Sequence, residues 1–494
     1  MNLPIFVLTD AYKVSHNQQY PPNVTSLYAY GEFRGSFKDD TEDSRIVFYG
    51  IRYIIETYVA RKWTLDDLEK CKEFYKTLGV GNSEFPFPYD LFKKFILENN
   101  GFFPVTIHSL PEGTVCYPHT PVYTIQADNE YAKIVTFLES ILTMVWYPST
   151  VATLSRRCRQ LIQESYDQAV DSDSFAKIEA ALHDFGFRGC TSVEQSIIGG
   201  SAHLLNFSGS DTTPAAYYVQ YNLNCGKPIA TSVPATEHSV MTSHSNEREA
   251  ILQMIETFGS GAFACVMDSY DYANALENIL PSISKQKLDK GGFMVLRPDS
   301  GDPSTVVLMA LEACDKVFGA KLNSKGYKVL NGCGVIQGDG INYDQIKHIL
   351  SNVIRAGFSP ENVMFGMGAG LLQKVHRDTM RFATKLSFME FQDGTTKDVM
   401  KCPKTDPTKN SLPGKFKVIR NVQNLPCVIP EEEETKGENL LKVVYDKGKT
   451  FDWDSFQTVR QRVENEWRNA PTNFNPVSSL MQEKIAATRA KLSQ

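Results

Sequence analysis

Seven aspartates stand in the same kind of place in this sequence. Asp184, Asp211, Asp268, Asp271, Asp299, Asp302 and Asp339 each follow a short apolar run and sit among glycines, prolines and small polar residues. Hard oxygen acceptors in that number suit sugar hydroxyls, or Mg²⁺ accompanying a polyphosphate. Some of the set must instead cap helices, where Asp is a preferred residue. Two glycine-rich turns, "QGDG" at 337–340 and "GMGAG" at 366–370, each lead into a helical stretch, with Arg377 and Lys385 downstream. Glycine lets backbone approach a ligand closely, and free N–H groups at a helix start favour phosphate. The same turns also serve as tight strand-to-helix connections. "HDFGFRG" at 183–189 adds two aromatics and an arginine. Phe185 or Phe187 can stack on a flat heterocycle while Arg188 meets an anion or a carbonyl; the alternative for either ring is the core. His183, His203, His238 and His244 have no close ligand spacing, which argues against a transition-metal centre. The combination points to a flat ring, a sugar and phosphates in one pocket, hence a nucleotide or its precursors.

Such residues need elements that bring them to one place. In "GGFMVLRPDSGDPSTVV", residues 291–307, an apolar run ends at Leu296, and Arg297, Asp299 and Asp302 follow among Pro298, Gly301 and Pro303. An apolar run bounded by turn residues and followed by an apolar-rich helical stretch reads as strand, loop and helix. The same grammar recurs at 181–189, 203–211, 229–239, 262–271, 334–340 and 363–374, making seven units. This predicts an α/β fold, with an irregular parallel α/β barrel over 151–389 whose loops after the strands share one face and carry the site. An open doubly wound sheet whose loops hold only helix caps is the alternative.

At 494 residues the chain exceeds what one core usually holds. Residues 1–150 mix helical patterns with a short strand pair in "FPVTIHSLPEGTVCYPHTPVYTIQ", and 390–494 carries strand-like runs and a terminal helix pattern. The two ends are expected to pack together as a second, mixed α+β region. The net charge of −6 argues against non-specific nucleic-acid binding, so an anionic ligand must meet locally placed cations. Ten cysteines without a CxxC pair favour a reducing compartment. No apolar stretch approaches membrane-spanning length, and "MNLPIFVLTDAYKVSH" lacks a basic n-region and a cleavage pattern. The expectation is a cytoplasmic protein with neither a membrane nor a nucleic acid as partner.

Longer stretches carry a resemblance. "TDAYKVSHNQQYPP", "ESILTMVWYPSTVAT", "LHDFGFRG", "SAHLLNFSGSDT", "SVPATEHS", "DSYD", "RPDSGDP", "NSKGYKVL", "VIQGDG", "GLLQKVHRD" and "DPTK" follow one another in order. In them the chain resembles the nicotinamide-using type II phosphoribosyltransferases over nearly its whole length. The resemblance implies that nicotinamide and 5-phosphoribosyl pyrophosphate give nicotinamide mononucleotide and pyrophosphate, with Mg²⁺, in a homodimer with shared active sites. It implies that the pyridine ring lies between Phe185 and Tyr12 of the partner subunit, and that Arg188, Asp211, Ser232 and Arg297 surround the base. Asp268, Asp299 and Asp339 match acidic positions around ribose, pyrophosphate and metal, with Asp268 and Asp299 as the metal ligands. Gly338, Gly368, Ala369, Arg377, Lys385, Lys401 and Lys409 match positions that handle substrate and phosphate. His238 matches a phosphorylated histidine through which ATP hydrolysis favours product formation; with Asp268 and Asp299 it makes up the implied catalytic set.

Two other readings stay open: a nicotinate-using relative, separated by the charge facing the substrate's carbonyl substituent, and an inactive barrel kept as a binding protein. The chain also departs from the family. Ala369 stands within a glycine trio, where a negative φ makes it harmless. Ala383 stands where a serine can contact phosphate, which removes one hydroxyl donor. The segments around 35–45 and after 410 match poorly.

Overall fold

The structure is a computed structural model that describes residues 3–81, 83–405 and 409–492. Two compact units divide the chain, Leu154–Val375 and the combination of Met1–Thr153 with His376–Gln494.

The first of these is a barrel. β1 (Leu182–Asp184), β2 (Ala262–Val266), β3 (Phe293–Arg297), β4 (Cys333–Gln337) and β5 (Val363–Met367) form a parallel sheet in the spatial order β1-β5-β4-β3-β2. Two irregular segments close the ring through parallel bridges: Asp184 with Ser210, Gly209 with Thr231, and Ala235 with Ala264 of β2. The backbone bonds are ordinary, with Asp184 N–H donating to Gly209 O at 3.2 Å, Ser210 N–H to Thr231 O at 3.0 Å and Thr236 N–H to Ala264 O at 3.0 Å. All seven expected segments therefore join one closed ring, and the open-sheet alternative falls.

Two of the seven differ from expectation in form. Residue 203 ends α1 (Val193–His203), so the chain becomes extended only near Ser208. At 229–239, Pro234 lacks an N–H and cannot carry a ladder onward. Strands β2 to β5 are mostly apolar and buried, β4 at every position, as a sheet covered on both faces requires.

The helices after the strands include α2 (His238–Ser243), α3 (Pro303–Phe318), α4 (Tyr343–Arg355) and the short α5 (Ala369–Leu372). Asp302 starts α3, accepting from Thr305 N–H at 2.9 Å and Thr305 Oγ1 at 2.7 Å, with Pro303 at the first helical position.

The second unit is built on a seven-stranded antiparallel sheet. Its central strands, Val24–Glu32, Pro121–Asp128 and Thr106–Ser109, are flanked by Ala383–Phe391 with Thr396–Asp398 on one side and by Lys442–Asp446 with Lys449–Thr450 on the other. The barrel boundary expected at 389 is thus displaced to 375. The physical reason is that Ala383–Phe391 pairs antiparallel along Val24–Glu32, so 376–389 belong to this sheet. An aromatic cluster fills the unit's core, with Trp63 stacked on Phe103 at 4.8 Å and Phe6 edge-on to Trp63 at 4.5 Å. One helical run, 129–169, is long and apolar enough to cross a membrane, against the expectation from sequence; 72% of its most apolar window is buried inside the protein, as in a core helix.

Candidate active site

The ends of β1, β3, β4 and β5 open into one cavity of about 750 Å³, a size suited to a nucleotide-sized ligand. Both glycine turns line it, as do the Phe185–Gly189 turn, Asp211, Arg297, Asp299 and Asp339. Ala369, between two glycines of the second turn, is not among the residues with positive φ, so its methyl group brings no backbone strain.

The Phe185 ring lies over Gly366 and Gly338. A Cβ at Gly366 would stand 2.0 Å from the ring, and one at Gly338 would stand 3.1 Å from it. The first contact is impossible for any other residue without moving the ring. The Arg297 guanidinium is 5.7 Å from the ring centre, and its Nη2 donates to Asp299 Oδ1 at 2.9 Å. Arg297 Nε is buried without a hydrogen-bond partner. A buried donor left unmade is costly, and a ligand anion or carbonyl would satisfy it.

The seven aspartates separate cleanly. Asp271 and Asp302 are caps, Asp271 accepting from Asn274 N–H at 3.0 Å. Asp211 is not: the helix that follows has Thr212 at its N-cap and no side-chain capping bond. Its Oδ1 instead accepts from Ser232 Oγ at 2.5 Å. Asp184 is fully buried; its Oδ1 accepts from Gly186 N–H at 2.7 Å and its Oδ2 has no partner. Burial pushes its carboxyl up to about 6.

His238 opens α2 with its side chain half exposed. Its Nε2 is 3.4 Å from Asp268 Oδ1 and its Nδ1 is 3.8 Å from Asp299 Oδ2. Asp268 is nearly inaccessible, and its Oδ2 accepts from Asp299 N–H at 3.0 Å and Ser300 Oγ at 2.6 Å. One carboxylate therefore ties the loop after β3 to the end of β2 and faces the imidazole as well. A ring flanked by carboxylates at both nitrogens is oriented for proton or phosphoryl chemistry. Glu237 accepts from Ser239 Oγ and is not the orienting group.

Glu247, which sequence reasoning missed, accepts from Ser269 N–H at 3.1 Å, and burial raises its carboxyl. Nothing in its local sequence separates it from a surface glutamate. Lys374, within the motif "GLLQKVHRD", also lines the cavity.

Among the described residues no group of three His, Cys, Asp or Glu is placed to hold a metal. Asp268 Oδ1 lacks a hydrogen-bond donor, and it and Asp299 offer two hard carboxylates. That set fits Mg²⁺, which keeps waters and substrate phosphates as its other ligands.

Comparison with known proteins matches this architecture. Residues 180–449 match the model of the nicotinate phosphoribosyltransferase family, and residues 4–107 match the nicotinamide phosphoribosyltransferase N-terminal domain. The chain belongs to the nicotinate phosphoribosyltransferase family. A relative from Xanthomonas campestris pv. campestris (strain 8004), called nicotinamide phosphoribosyltransferase, is 39% identical over 84% of this chain and 87% of its own. One of the same name from Mycoplasma pneumoniae is 30% identical over 82% of this chain and 94% of its own. The crystal structure of human nicotinic acid phosphoribosyltransferase shares the fold, with a TM-score of 0.64 at 16% identity over 97% of this chain and 99% of that one.

Within this phosphoribosyltransferase the barrel unit brings together Phe185, Arg188, Asp211, Arg297, Asp299, Gly338, Asp339, Gly368 and Ala369 as lining of one cavity. Ser232 joins them through Asp211, and His238 and Asp268 through Asp299. Tyr12, Arg377, Lys385, Lys401 and Lys409 belong to the other unit. There Tyr12 is 58% exposed and packs edge-on to His16 at 5.3 Å. Arg377 is exposed beside Asp378. Lys385 lies on the strand Ala383–Phe391, its Nζ donating to Thr384 O at 2.7 Å, and burial lowers its ammonium below the usual lysine range. Lys401 and Lys409 are exposed.

Proposed function

We propose that this phosphoribosyltransferase joins nicotinamide to 5-phosphoribosyl pyrophosphate, giving nicotinamide mononucleotide and pyrophosphate, and couples the reaction to ATP hydrolysis through a phosphohistidine at His238. The carrying observation is that Phe185, Arg297 and Asp211 share one cavity with two glycine turns. A flat base with a polar substituent and a phosphorylated sugar thus have adjoining places. The names of the curated relatives point the same way.

The base stacks on Phe185, and the carboxylate of Asp211 accepts from its amide NH₂, the one feature nicotinate lacks. The Ser232 hydroxyl occupies Oδ1 of Asp211, which fixes the carboxylate for that contact. The pyridine nitrogen then bonds to the ribose carbon that carried pyrophosphate, and the carbon–oxygen bond to pyrophosphate breaks. Arg297 meets developing negative charge, while backbone N–H groups of the glycine turns hold the phosphates. Asp268 and Asp299 would hold Mg²⁺, which supplies charge neutralisation on the departing pyrophosphate.

At His238, whose ring Asp268 and Asp299 flank, one nitrogen accepts the terminal phosphoryl group of ATP with release of ADP, and hydrolysis of the nitrogen–phosphorus bond releases inorganic phosphate and returns the free imidazole. Tyr12 of the partner subunit covers the second face of the base, in a homodimer, and Arg377, Lys385, Lys401 and Lys409 supply cations to phosphate.

The test is pyrophosphate release from purified protein with labelled nicotinamide and 5-phosphoribosyl pyrophosphate, run beside labelled nicotinate. Formation of labelled mononucleotide from nicotinamide, stimulated by ATP, is expected. Turnover of nicotinate alone would assign the protein to the acid-using branch, and turnover of neither base would leave an inactive barrel.

A further inference from the structure

Gly186 is held on both sides by side chains with no role in the reaction proposed above. Its N–H donates to Asp184 Oδ1 at 2.7 Å. Its carbonyl accepts from Gln373 Nε2 at 3.0 Å, and the same Nε2 lies 3.1 Å from Cys190 Sγ. A Cβ at Gly186 would meet Leu372 at 2.6 Å and Asp184 Oδ1 at 3.1 Å, so the clamp closes on bare backbone. Between its jaws run Phe185, whose ring floors the cavity, and Arg188 at the rim.

The two jaws come from different parts of the barrel. Asp184 ends β1, and its own carbonyl accepts from Asp211 N–H at 3.0 Å. Gln373 follows α5 and the second glycine turn. We infer that Asp184 and Gln373 are positioning residues for the base: together they hold the Phe185–Arg188 turn in register with Asp211 on one side and with the phosphate turn on the other. The inference rests on the proposed function, because it takes the Phe185 shelf to be the seat of the base.

An acceptor bonded to a backbone N–H is stronger when ionised. Asp184 is fully buried, and burial lifts its carboxyl to about 6 with the nearby Asp211 charge adding to the rise. Besides Asp211, the titratable group that feels the Asp184 charge is Cys190 in the turn, while the Nε2 of His203 on α1 is directed at the Leu182 carbonyl, 3.2 Å away. α1 packs Gly200 against Asp184 Oδ2, and β5 presents only Met367 and Gly366 at that level. Protonation of Asp184 therefore loosens one jaw of the clamp as the medium becomes acid, while Gln373 is unaffected.

The test is the KM for nicotinamide, kcat and the KM for 5-phosphoribosyl pyrophosphate, measured across pH values on either side of about 6. In the parent enzyme the nicotinamide KM should rise on the order of fivefold below that point. Asp184→Asn, which keeps the acceptor and removes the charge, should show the parent's acid KM at every pH. Gln373→Leu should raise the same KM by a pH-independent factor on top of the parent's slope. In both variants the loss falls on the nicotinamide KM and spares that for the phosphoribosyl substrate.

A merely structural role would lower the active fraction, and so kcat, without moving KM; that result overturns the inference. So does an Asp184→Asn enzyme that keeps the parent's KM and its acid rise. Should Asp184→Asn fail to fold, a parent KM that is flat through pH 6 overturns the inference, and a parent KM that rises there together with the Gln373→Leu offset supports it. A parent that turns over neither base brings down the functional proposal, and this inference with it.

Discussion

In the proposed reaction the choice between two bases reduces, at Asp211, to one charge. Its carboxylate caps no helix and accepts from Ser232, so it is free to accept from an amide and repel an acid. Asp211→Asn should lower the ratio of kcat/KM for nicotinamide over nicotinate by at least about tenfold, within the reach of a site built around a polar partner. An unchanged ratio, measured by competition between the labelled bases, would remove Asp211 from selectivity. At His238, replacement by Ala should abolish ATP hydrolysis and its stimulation of turnover while a slow ATP-independent reaction survives. In the proposed reaction the transfer uses the cavity beyond the imidazole, so a variant still stimulated by ATP would exclude His238 as the phosphoryl acceptor. Asp184 yields a stability prediction. Its carboxyl is lifted from 3.8 to about 6, so the folded state keeps a proton that the unfolded chain releases. Its contribution is full below the unfolded value and is lost as pH rises through about 6. Asp184→Asn, which cannot ionise, should gain thermal stability relative to the parent between pH 4 and pH 7, by up to about 3 kcal/mol. A melting-temperature difference that does not change with pH would contradict the assignment.

At the scale of elements, the cavity depends on where strands end and how tightly the next turn starts. Gly366, the next-to-last residue of β5, lies under the Phe185 ring at a distance that leaves no room for a methyl group. Gly366→Ala should displace the ring, raising the KM for the base several-fold and costing about 1–3 kcal/mol from overpacking; thermal melting and steady-state kinetics on one preparation separate the two effects. Asp302 shows the other use of a carboxylate after a strand. It caps α3, so Asp302→Ala should cost about 1 kcal/mol of stability and leave the choice of base unchanged.

For the whole molecule, the proposed function requires a partner subunit. Tyr12 presents an exposed ring within its own unit, and the proposal places the partner's Tyr12 over the base. Tyr12→Ala and Phe185→Ala chains should each be impaired alone, yet mixing them should restore activity. One of the two sites in a mixed dimer then has both rings intact. No recovery in a dimer shown to be mixed would count against a shared site. Dilution should remove activity and the dimer together, as scattering and turnover at matched concentrations would show.

Sequence alone determined the βα grammar, because an apolar run ending in Gly, Pro and Asp is a local property that needs no partner to be visible. It determined as well that seven such segments recur between about 180 and 375 and that their loops carry aspartates, an arginine and glycine turns. The resemblance supplied what local pattern could not, the roles proposed for His238 and Asp211. Tertiary structure decided which carboxylate does what. Asp302 and Asp299 are alike in sequence, yet one caps a helix while the other sits between Arg297 and His238, because only packing determines which groups a side chain meets. It also decided that 208–210 and 231–235 join the ring by single bridges, and that Ala383–Phe391 leaves the barrel for an antiparallel neighbour more than 350 positions away in sequence. Strand pairing is a contact between distant segments, and nothing within either one announces the other. The same holds for Asp184: its burial, its orphan oxygen and the clamp it forms with Gln373 exist only once β1 and the end of α5 are brought together.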